Sequence, residues 1–138
     1  GYTAAEGILF ADLMQIERFL NSTGRSVYLK DENLLDGVTA LSGSGPAYFY
    51  YIVDAIIKAG TEMGIEENLA KLFVKQTMLG ANHLINNSDK NLEELIKDVA
   101  SKGGTTEAAL KTFEENDLKI SIRKGILAAE SRSKELSE

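Results

Sequence analysis

Apolar residues recur at helical spacing through most of the chain, so we expect a protein made of helices. Glycines separate the segments that show this spacing, which favours helices that end at glycine turns. One proline among twelve glycines fits this arrangement, because proline interrupts a helix interior. The predicted helices cover residues 4–24, 31–42, 46–64, 66–87, 91–101, 105–116 and 117–138.

The predicted helix 46–64 has an unusual distribution of apolar residues. Its middle, residues 47–57, is apolar on nearly every side and carries one charge, at Asp54. A helix that is apolar all round is buried all round. A chain of 138 residues is the size of one ordinary domain, so this burial indicates a second subunit. We therefore expect a homodimer.

One short segment has a β-strand pattern. Residues 25–30, RSVYLK, are β-like, and no second comparable strand follows them in the chain. A lone strand cannot satisfy its own backbone hydrogen bonds. The segment must therefore pair with another chain or with a sheet that this sequence does not contain.

Composition excludes several classes of function. The formal net charge is −6, which argues against a nucleic-acid groove, since such grooves need a basic face. The chain has no cysteine, hence no disulfide framework, thiolate metal site or cysteine nucleophile. This composition is compatible with a cytoplasmic protein. Neither a secretory signal nor a run of 18 apolar residues is visible, so we expect no membrane span.

Two further features resemble functional motifs but lack essential parts. GSGPAY, residues 43–48, has Tyr48 where a dinucleotide fingerprint needs its third glycine, and it follows a predicted helix rather than a strand. A tight helix–helix corner is the better interpretation. His83 is the only histidine, and one imidazole without a second ligand does not make a metal site. We expect no metal and no nucleotide cradle within these residues.

The stretch SKGGTTE, residues 101–107, has the composition of a ligand-binding turn. Ser101, Thr105 and Thr106 supply hydroxyls, while Gly103 and Gly104 let a ligand approach the backbone closely. Thr105 or Thr106 can cap the helix that follows, and free N–H groups at a helix start attract anions. The turn is either a plain junction between two helices or a site for a small acid.

Several stretches in this order and spacing resemble the C-terminal domain of pyrroline-5-carboxylate reductase. They are VTALSGSGPAY (38–48), KAGTEMGI (58–65), LGAN (79–82) and DVASKGGTTEAAL (98–110). The resemblance runs from about residue 8 to residue 137. It implies an oxidoreductase that transfers a hydride from NADPH or NADH to the C=N bond of 1-pyrroline-5-carboxylate, giving L-proline.

The resemblance also implies an organisation in two parts. Residues 1–31 correspond to the last helix and strand of an N-terminal Rossmann domain, and residues 32–138 to an all-α dimerisation and substrate-binding domain of long interlocking helices. We therefore expect part of a longer cytoplasmic protein, a homodimer that can assemble further, with the cofactor bound mainly by the preceding domain. The 138-residue chain alone is expected to be inactive.

The resemblance assigns roles to individual residues of the turn. Thr106 lies beside the ring nitrogen of the substrate and is the expected catalytic residue. Ser101, Gly103, Gly104 and Thr105 form the rest of the substrate loop, whose N–H groups hold the substrate carboxylate. Asp89 corresponds to an acidic substrate-binding residue upstream. Lys102 stands where the family usually has proline. Lysine leaves the backbone freer than proline does and adds a positive charge.

Two alternatives remain open from the sequence. The chain can be a dimerisation module without catalytic activity. It can also be the helical domain of a related Rossmann-type dehydrogenase that acts on another small acid, since such helical domains recur behind Rossmann domains. The GGTT turn favours the pyrroline reductase.

Overall fold

A computed structural model describes residues 1–137 of the chain, and its regular structure is helical, which confirms the predicted all-α class. Beside the α-helices there is one π-helical turn, Thr39–Gly43. The α-helices are α1 (Phe10–Asn21), α2 (Leu34–Val38), α3 (Gly45–Glu62), α4 (Glu67–Asn87), α5 (Leu92–Val99), α6 (Thr105–Glu115) and α7 (Leu118–Ser137).

Helix α3 ends as the sequence predicts. Gly64 has a φ of +89°, a conformation that favours glycine because it has no Cβ. Its N–H donates to the Thr61 carbonyl (2.9 Å), and the Ile65 N–H donates to the Gly60 carbonyl (3.1 Å). This pair of bonds is a Schellman motif, which satisfies carbonyls at the helix end.

The next two helices begin with side-chain caps. The Glu66 carboxylate accepts a hydrogen bond from the Leu69 N–H at the start of α4 (3.0 Å). At the start of α5, Asn91 and Glu94 form a reciprocal capping box. These polar residues explain why both helices begin within a residue of the predicted positions.

Helix α1 is shorter than the predicted helix 4–24. It begins at Phe10, because Gly7 has a φ of +86° and Leu9 is extended (φ −69°, ψ 143°), and neither conformation continues a right-handed helix. It also ends earlier than predicted, at Asn21, where the Ser22 and Thr23 hydroxyls donate to the carbonyls of Phe19 and Leu20 in the last turn.

The predicted strand 25–30 is reduced to a single parallel bridge between Tyr28 and Tyr2. The Tyr2 N–H donates to the Val27 carbonyl (3.0 Å), and the Leu29 N–H donates to the Tyr2 carbonyl (2.8 Å). The tyrosine rings also contact each other, with centroids 5.5 Å apart. The segment thus has a partner inside this chain, which the sequence pattern did not indicate.

The predicted helix 31–42 is divided into α2 and the π-helical turn. Asp31 is not the N-cap; its carboxylate instead accepts from the Asn33 N–H (3.0 Å) and side-chain amide (2.8 Å), forming a local turn. The GSG segment does not break the helix sharply, since the Ser44 N–H donates to the Thr39 carbonyl (2.9 Å) in the wider π spacing. Such π turns occur frequently at functional sites.

The chain divides into two compact units. The first contains residues 1–45 and the C-terminal residues from Lys124 on, and the second contains Pro46–Arg123. In the first unit, the Ser133 hydroxyl donates to the Asp36 carboxylate (2.6 Å) and so joins α7 to α2. In the second, a Cβ on Gly60 of α3 would lie 3.2 Å from Ala70 of α4, so glycine permits close helix packing there. The domain boundary expected near residues 31 and 32 stays a prediction.

The single chain has little interior. Ala40 and Ala70 are the buried apolar residues in the part of the chain that the structure describes, and no large side chain is fully buried there. Helix α3 exposes Tyr51 at 80%, and α1 exposes Phe10 at 76%. Between α3, α4 and the α6–α7 region of the second unit lies an apolar cleft of about 850 Å³. None of the described helices is long and apolar enough to cross a membrane.

Candidate functional site

The turn between α5 and α6 has a well-defined backbone. Ser101 to Gly104 form a four-residue turn in which the Gly104 N–H donates to the Ser101 carbonyl (2.9 Å). Gly103, the third residue, has a φ of +73°. A positive φ at this position is typical of a type II turn, where glycine is preferred at the third position and proline is common at the second. Lys102 occupies that second position.

Gly104 is required for a different reason. A Cβ at this position would lie 2.5 Å from the Ser101 hydroxyl oxygen and 3.0 Å from the Ser101 carbonyl oxygen. The backbone of residue 104 therefore lies directly against Ser101, and any side chain would force the two apart. The two glycines thus meet separate demands, one of conformation and one of space.

Helix α6 begins without a side-chain cap. Its N-cap residue is Gly104, and neither Thr105 nor Thr106 caps it, which corrects the expectation from the sequence. The first helical bond runs from the Ala108 N–H to the Gly104 carbonyl (3.2 Å). The N–H groups of Thr105, Thr106 and Glu107 have no acceptor among the described residues. Three unpaired donors at a helix N-terminus can bind an anion.

The amides of the two glycines are already engaged. The Gly104 N–H is bound within the turn, and the Gly103 N–H donates to the Glu107 carboxylate at 2.7 Å. Open donors are therefore limited to the backbone of residues 105–107. The contact was not among the predictions from the sequence, although the spacing offered a signal: Glu107 is three residues after the N-cap, where glutamate often reaches back over a helix start.

Three hydroxyls accompany these amides. Ser101, Thr105 and Thr106 make no side-chain hydrogen bond with other described residues, so their hydroxyls can interact with a ligand. Thr106 is half-buried, whereas Ser101 and Thr105 are exposed. The turn therefore brings together all the predicted site residues from 101 to 106, and it can bind a carboxylate and an adjacent polar atom.

Asp89 lies at the other end of α5. It belongs to the exposed loop between α4 and α5, and the eight residues of α5, about 12 Å of helix, lie between this loop and the turn. Lys90 joins the loop to the last turn of α5 through an ion pair with Asp98 (2.7 Å). No hydrogen bond or ion pair of Asp89 with the turn occurs in residues 1–137. Its role in binding stays a prediction.

Other candidate chemistry is absent from the described part of the chain. His83 is exposed, and its Nδ1 lies 3.3 Å from the Asn87 side-chain amide. Residues 1–137 contain no group of three His, Asp or Glu side chains that could hold a metal ion. The GSGPAY segment passes from the π-helical turn into α3, so it lacks the strand–turn–helix context of a dinucleotide-binding loop.

Comparison with known proteins decides the family. A family model described as pyrroline-5-carboxylate reductase dimerisation matches residues 32–136. The chain belongs to this family. The match includes the whole turn and every helix from α2 to α6.

Members of the pyrroline-5-carboxylate reductase family resemble this chain along nearly all of its length. The enzyme of Pseudomonas aeruginosa is 38% identical over 138 residues, which are all of this chain and 50% of the relative. Among solved structures, that from Coxiella burnetii has a TM-score of 0.90 and 33% identity, covering 99% of this chain and 50% of that one. A Plasmodium falciparum reductase with NADP bound has a TM-score of 0.90 and 30% identity, covering 97% and 51%. The chain thus spans about half the length of these relatives.

Proposed function

We propose that this chain is the helical dimerisation and substrate-binding half of a pyrroline-5-carboxylate reductase of proline biosynthesis. The reaction reduces 1-pyrroline-5-carboxylate to L-proline with NADPH or NADH. One observation supports this proposal above the others: the SKGGTTE turn presents three unpaired N–H groups beside three free hydroxyls. Because the family is shown, this arrangement is best interpreted as the site for the substrate's carboxylate and ring nitrogen.

The carboxylate of the substrate is expected at the N-terminus of α6. Donors from Thr105, Thr106 and Glu107 converge there, and the positive end of the helix dipole favours an anion. Gly103 and Gly104 contribute shape rather than donors, since their N–H groups are bound inside the turn. Gly103 and Gly104 thus remain part of the proposed substrate loop, but their N–H groups are not the donors to the substrate carboxylate.

Thr106 is the residue proposed to act on the ring nitrogen. Its hydroxyl makes no hydrogen bond with residues 1–137 and its side chain is half-buried, so it can bond the nitrogen of a ring whose carboxylate is held at the helix start. Hydride addition to the C=N carbon requires the nitrogen to be protonated or hydrogen bonded. The Thr106 hydroxyl would therefore orient the ring and hydrogen bond to its nitrogen, which carries a hydrogen in the product L-proline.

Residues 1–137 do not fit the nicotinamide cofactor, since they contain no glycine-rich turn between a strand and a helix that could hold its pyrophosphate. When bound, the cofactor supplies the hydride. We propose that it is held mainly outside this chain, so the 138 residues alone bind NADPH weakly and do not turn over. The NADP in the Plasmodium falciparum relative is compatible with this proposal.

We further propose a homodimer, which can assemble further, with the apolar surface of α3 at the interface. Phe49, Tyr50 and Tyr51 are each more than 60% exposed in the single chain. Apolar surfaces of this extent are rare on monomers. A cytoplasmic location, with neither nucleic acid nor membrane as partner, completes the proposal.

A reductase assay tests the proposal. The part of the Pseudomonas aeruginosa relative that this chain does not match, joined to this chain, should oxidise NADPH only when pyrroline-5-carboxylate is present and should form L-proline. Circular dichroism and light scattering first establish that the fusion is folded and assembled. A folded fusion that forms no proline would favour a dimerisation module without catalytic activity, whereas turnover of a different cyclic or acyclic imino acid would favour a related dehydrogenase.

A further inference from the structure

Glu107 has a contact that its position in the helix does not require. It is the third residue of α6, and its carboxylate accepts a hydrogen bond from the Gly103 N–H at 2.7 Å. We propose that Glu107 is the positioning residue of the substrate turn: its carboxylate fixes Gly103 and leaves the N–H groups of residues 105–107 open for the substrate. This inference rests on the proposed reductase function.

The Glu107 side chain is directed away from the free N–H groups of its own helix. A carboxylate in the first turn of a helix commonly binds the helix's own free N–H groups and is favoured by the dipole. Here the carboxylate bonds to Gly103, one residue before the N-cap, so the donors of α6 remain unpaired. Had Glu107 bound those donors, it would compete with a substrate carboxylate for the same groups.

The conformation of Gly103 makes the turn depend on its hydrogen bond with Glu107. At a φ of +73° the Gly103 N–H points to the side on which Glu107 lies, and glycine has several other conformations available once this bond is lost. The turn has only one other internal backbone bond, from the Gly104 N–H to the Ser101 carbonyl. A charge-assisted hydrogen bond is stronger than a neutral one, so Glu107 is the main restraint on the turn besides the Gly103 backbone preference.

The hydrogen bond between Glu107 and Gly103 is more important because residue 102 is a lysine. Proline is common at the second position of a type II turn, where its ring fixes φ, whereas lysine leaves the backbone free. With no proline present, the order of this turn depends more on the bond between Glu107 and Gly103.

Amide hydrogen exchange of the unmodified 138-residue chain tests the contact without any activity. The Gly103 N–H should exchange at least tenfold more slowly than its intrinsic rate, while the Thr105 and Thr106 N–H groups should exchange near theirs. Glu107→Ala should remove the protection of Gly103, and Glu107→Gln, whose amide oxygen can still accept, should keep most of it. Equal exchange at Gly103 and Thr105 in the unmodified chain would overturn the proposal.

Kinetics of the fusion test the consequence for the substrate. Glu107→Ala should lower kcat/KM for pyrroline-5-carboxylate by roughly tenfold, mostly through KM, as expected for a loss of about 1.4 kcal/mol of substrate binding. Glu107→Gln should stay within about threefold of the unmodified enzyme, on the scale of a retained neutral hydrogen bond. Glu115→Ala, at the opposite end of α6, is the matched control and should change neither value.

The two proposals fail in different ways. If Glu107→Ala keeps the KM of the unmodified fusion, or if Glu107→Gln is as impaired as Glu107→Ala, the positioning role is wrong although the reductase function stands. If the unmodified fusion is inactive while Gly103 remains protected, the reductase function is wrong and the contact itself stands.

Discussion

At the scale of single residues, the turn between α5 and α6 separates structural from chemical roles. Gly103 supplies a left-handed conformation, Gly104 supplies space beside Ser101, and Glu107 binds an amide outside the helix. The hydroxyls of Thr105 and Thr106 make no hydrogen bond with the residues that the structure describes. Substitutions of the two threonines should therefore affect ligand binding and leave folding nearly unchanged.

Thr106→Ala should lower kcat/KM of the fusion at least tenfold, which corresponds to about 1.4 kcal/mol in the transition state. The physical reason is the loss of a hydrogen bond to the ring nitrogen, while the β-carbon is kept. Its Tm should change little, because the hydroxyl caps no helix. Steady-state kinetics and thermal unfolding of the same preparation check both parts.

Thr105→Ala is the matched control for this substitution. It removes an exposed hydroxyl one residue away and keeps the N–H that we assign to the carboxylate. We expect a clearly smaller loss than for Thr106→Ala. Full kcat/KM in Thr106→Ala would mean that the turn contributes only its backbone.

Lys102→Pro should raise the Tm by about 2–5 °C, because proline at the second position of such a turn removes freedom from the unfolded chain at little cost to the folded one. The Lys102 N–H makes no hydrogen bond among residues 1–137, so proline breaks none. Lys102→Ala separates the loss of charge from the backbone effect and should not raise the Tm. An unchanged or lower Tm in Lys102→Pro would show that the turn is not of type II in solution.

At the scale of helices, the sequence predicted positions where side chains or glycines act locally. Gly64 marks the end of α3, and Glu66 and Asn91 precede helix starts, because capping depends on a few neighbouring residues. The candidate site turn was proposed for the same reason, from its glycines and hydroxyls, and its role in binding stays a prediction.

Features that depend on distant residues or on backbone spacing were not predictable in this way. The bridge between Tyr28 and Tyr2 joins segments that no local pattern links. The π-helical turn depends on how Ser44 bonds back to Thr39 rather than on a residue preference. The bond from Gly103 to Glu107 becomes apparent only when the helix start is placed at Gly104.

The start of α4 should depend on pH through Glu66. Hydrogen bonds from Asn68 and from the Leu69 N–H lower the pKa of the Glu66 carboxyl below its usual 4.5. A group with a lowered pKa in the folded state stabilises the fold above its unfolded pKa, and this contribution is lost as the pH falls through the folded pKa. The Tm difference between the unmodified chain and Glu66→Ala should therefore be largest near neutral pH and shrink below about pH 4.

Glu93→Ala provides a comparison for that measurement. The Glu93 carboxylate is exposed and accepts no hydrogen bond from other described residues, although it also lies in the first turn of a helix. Its effect on Tm should vary much less with pH. A difference for Glu66→Ala that stays constant from pH 7 to pH 3 would show that the carboxylate does not cap α4.

At the scale of the whole molecule, the exposed apolar residues dominate. A chain in which no large side chain among residues 1–137 is fully buried cannot gain much stability from its own interior. The middle of α3 is apolar on nearly every side, as the sequence indicated, and Phe49, Tyr50 and Tyr51 remain exposed in the single chain. In the proposed homodimer, a second copy would cover them and supply the missing burial.

We expect light scattering at micromolar concentration to give at least twice the mass of one chain. Tyr51→Glu should shift the mass distribution toward monomer and lower the Tm. The Tyr51 ring is 80% exposed in the single chain, and a charge at this position would be buried in the proposed dimer. A monodisperse monomer of the unmodified chain would contradict the proposed homodimer.

A crystal structure of the active fusion with L-proline bound would test whether this turn is the substrate site. We expect the proline carboxylate within hydrogen-bond distance of the N–H groups of Thr105, Thr106 and Glu107, with the ring nitrogen beside the Thr106 hydroxyl. The Glu107 carboxylate should remain on the Gly103 N–H. Proline bound elsewhere, with these three amides facing solvent, would contradict the assignment of this turn as the substrate site.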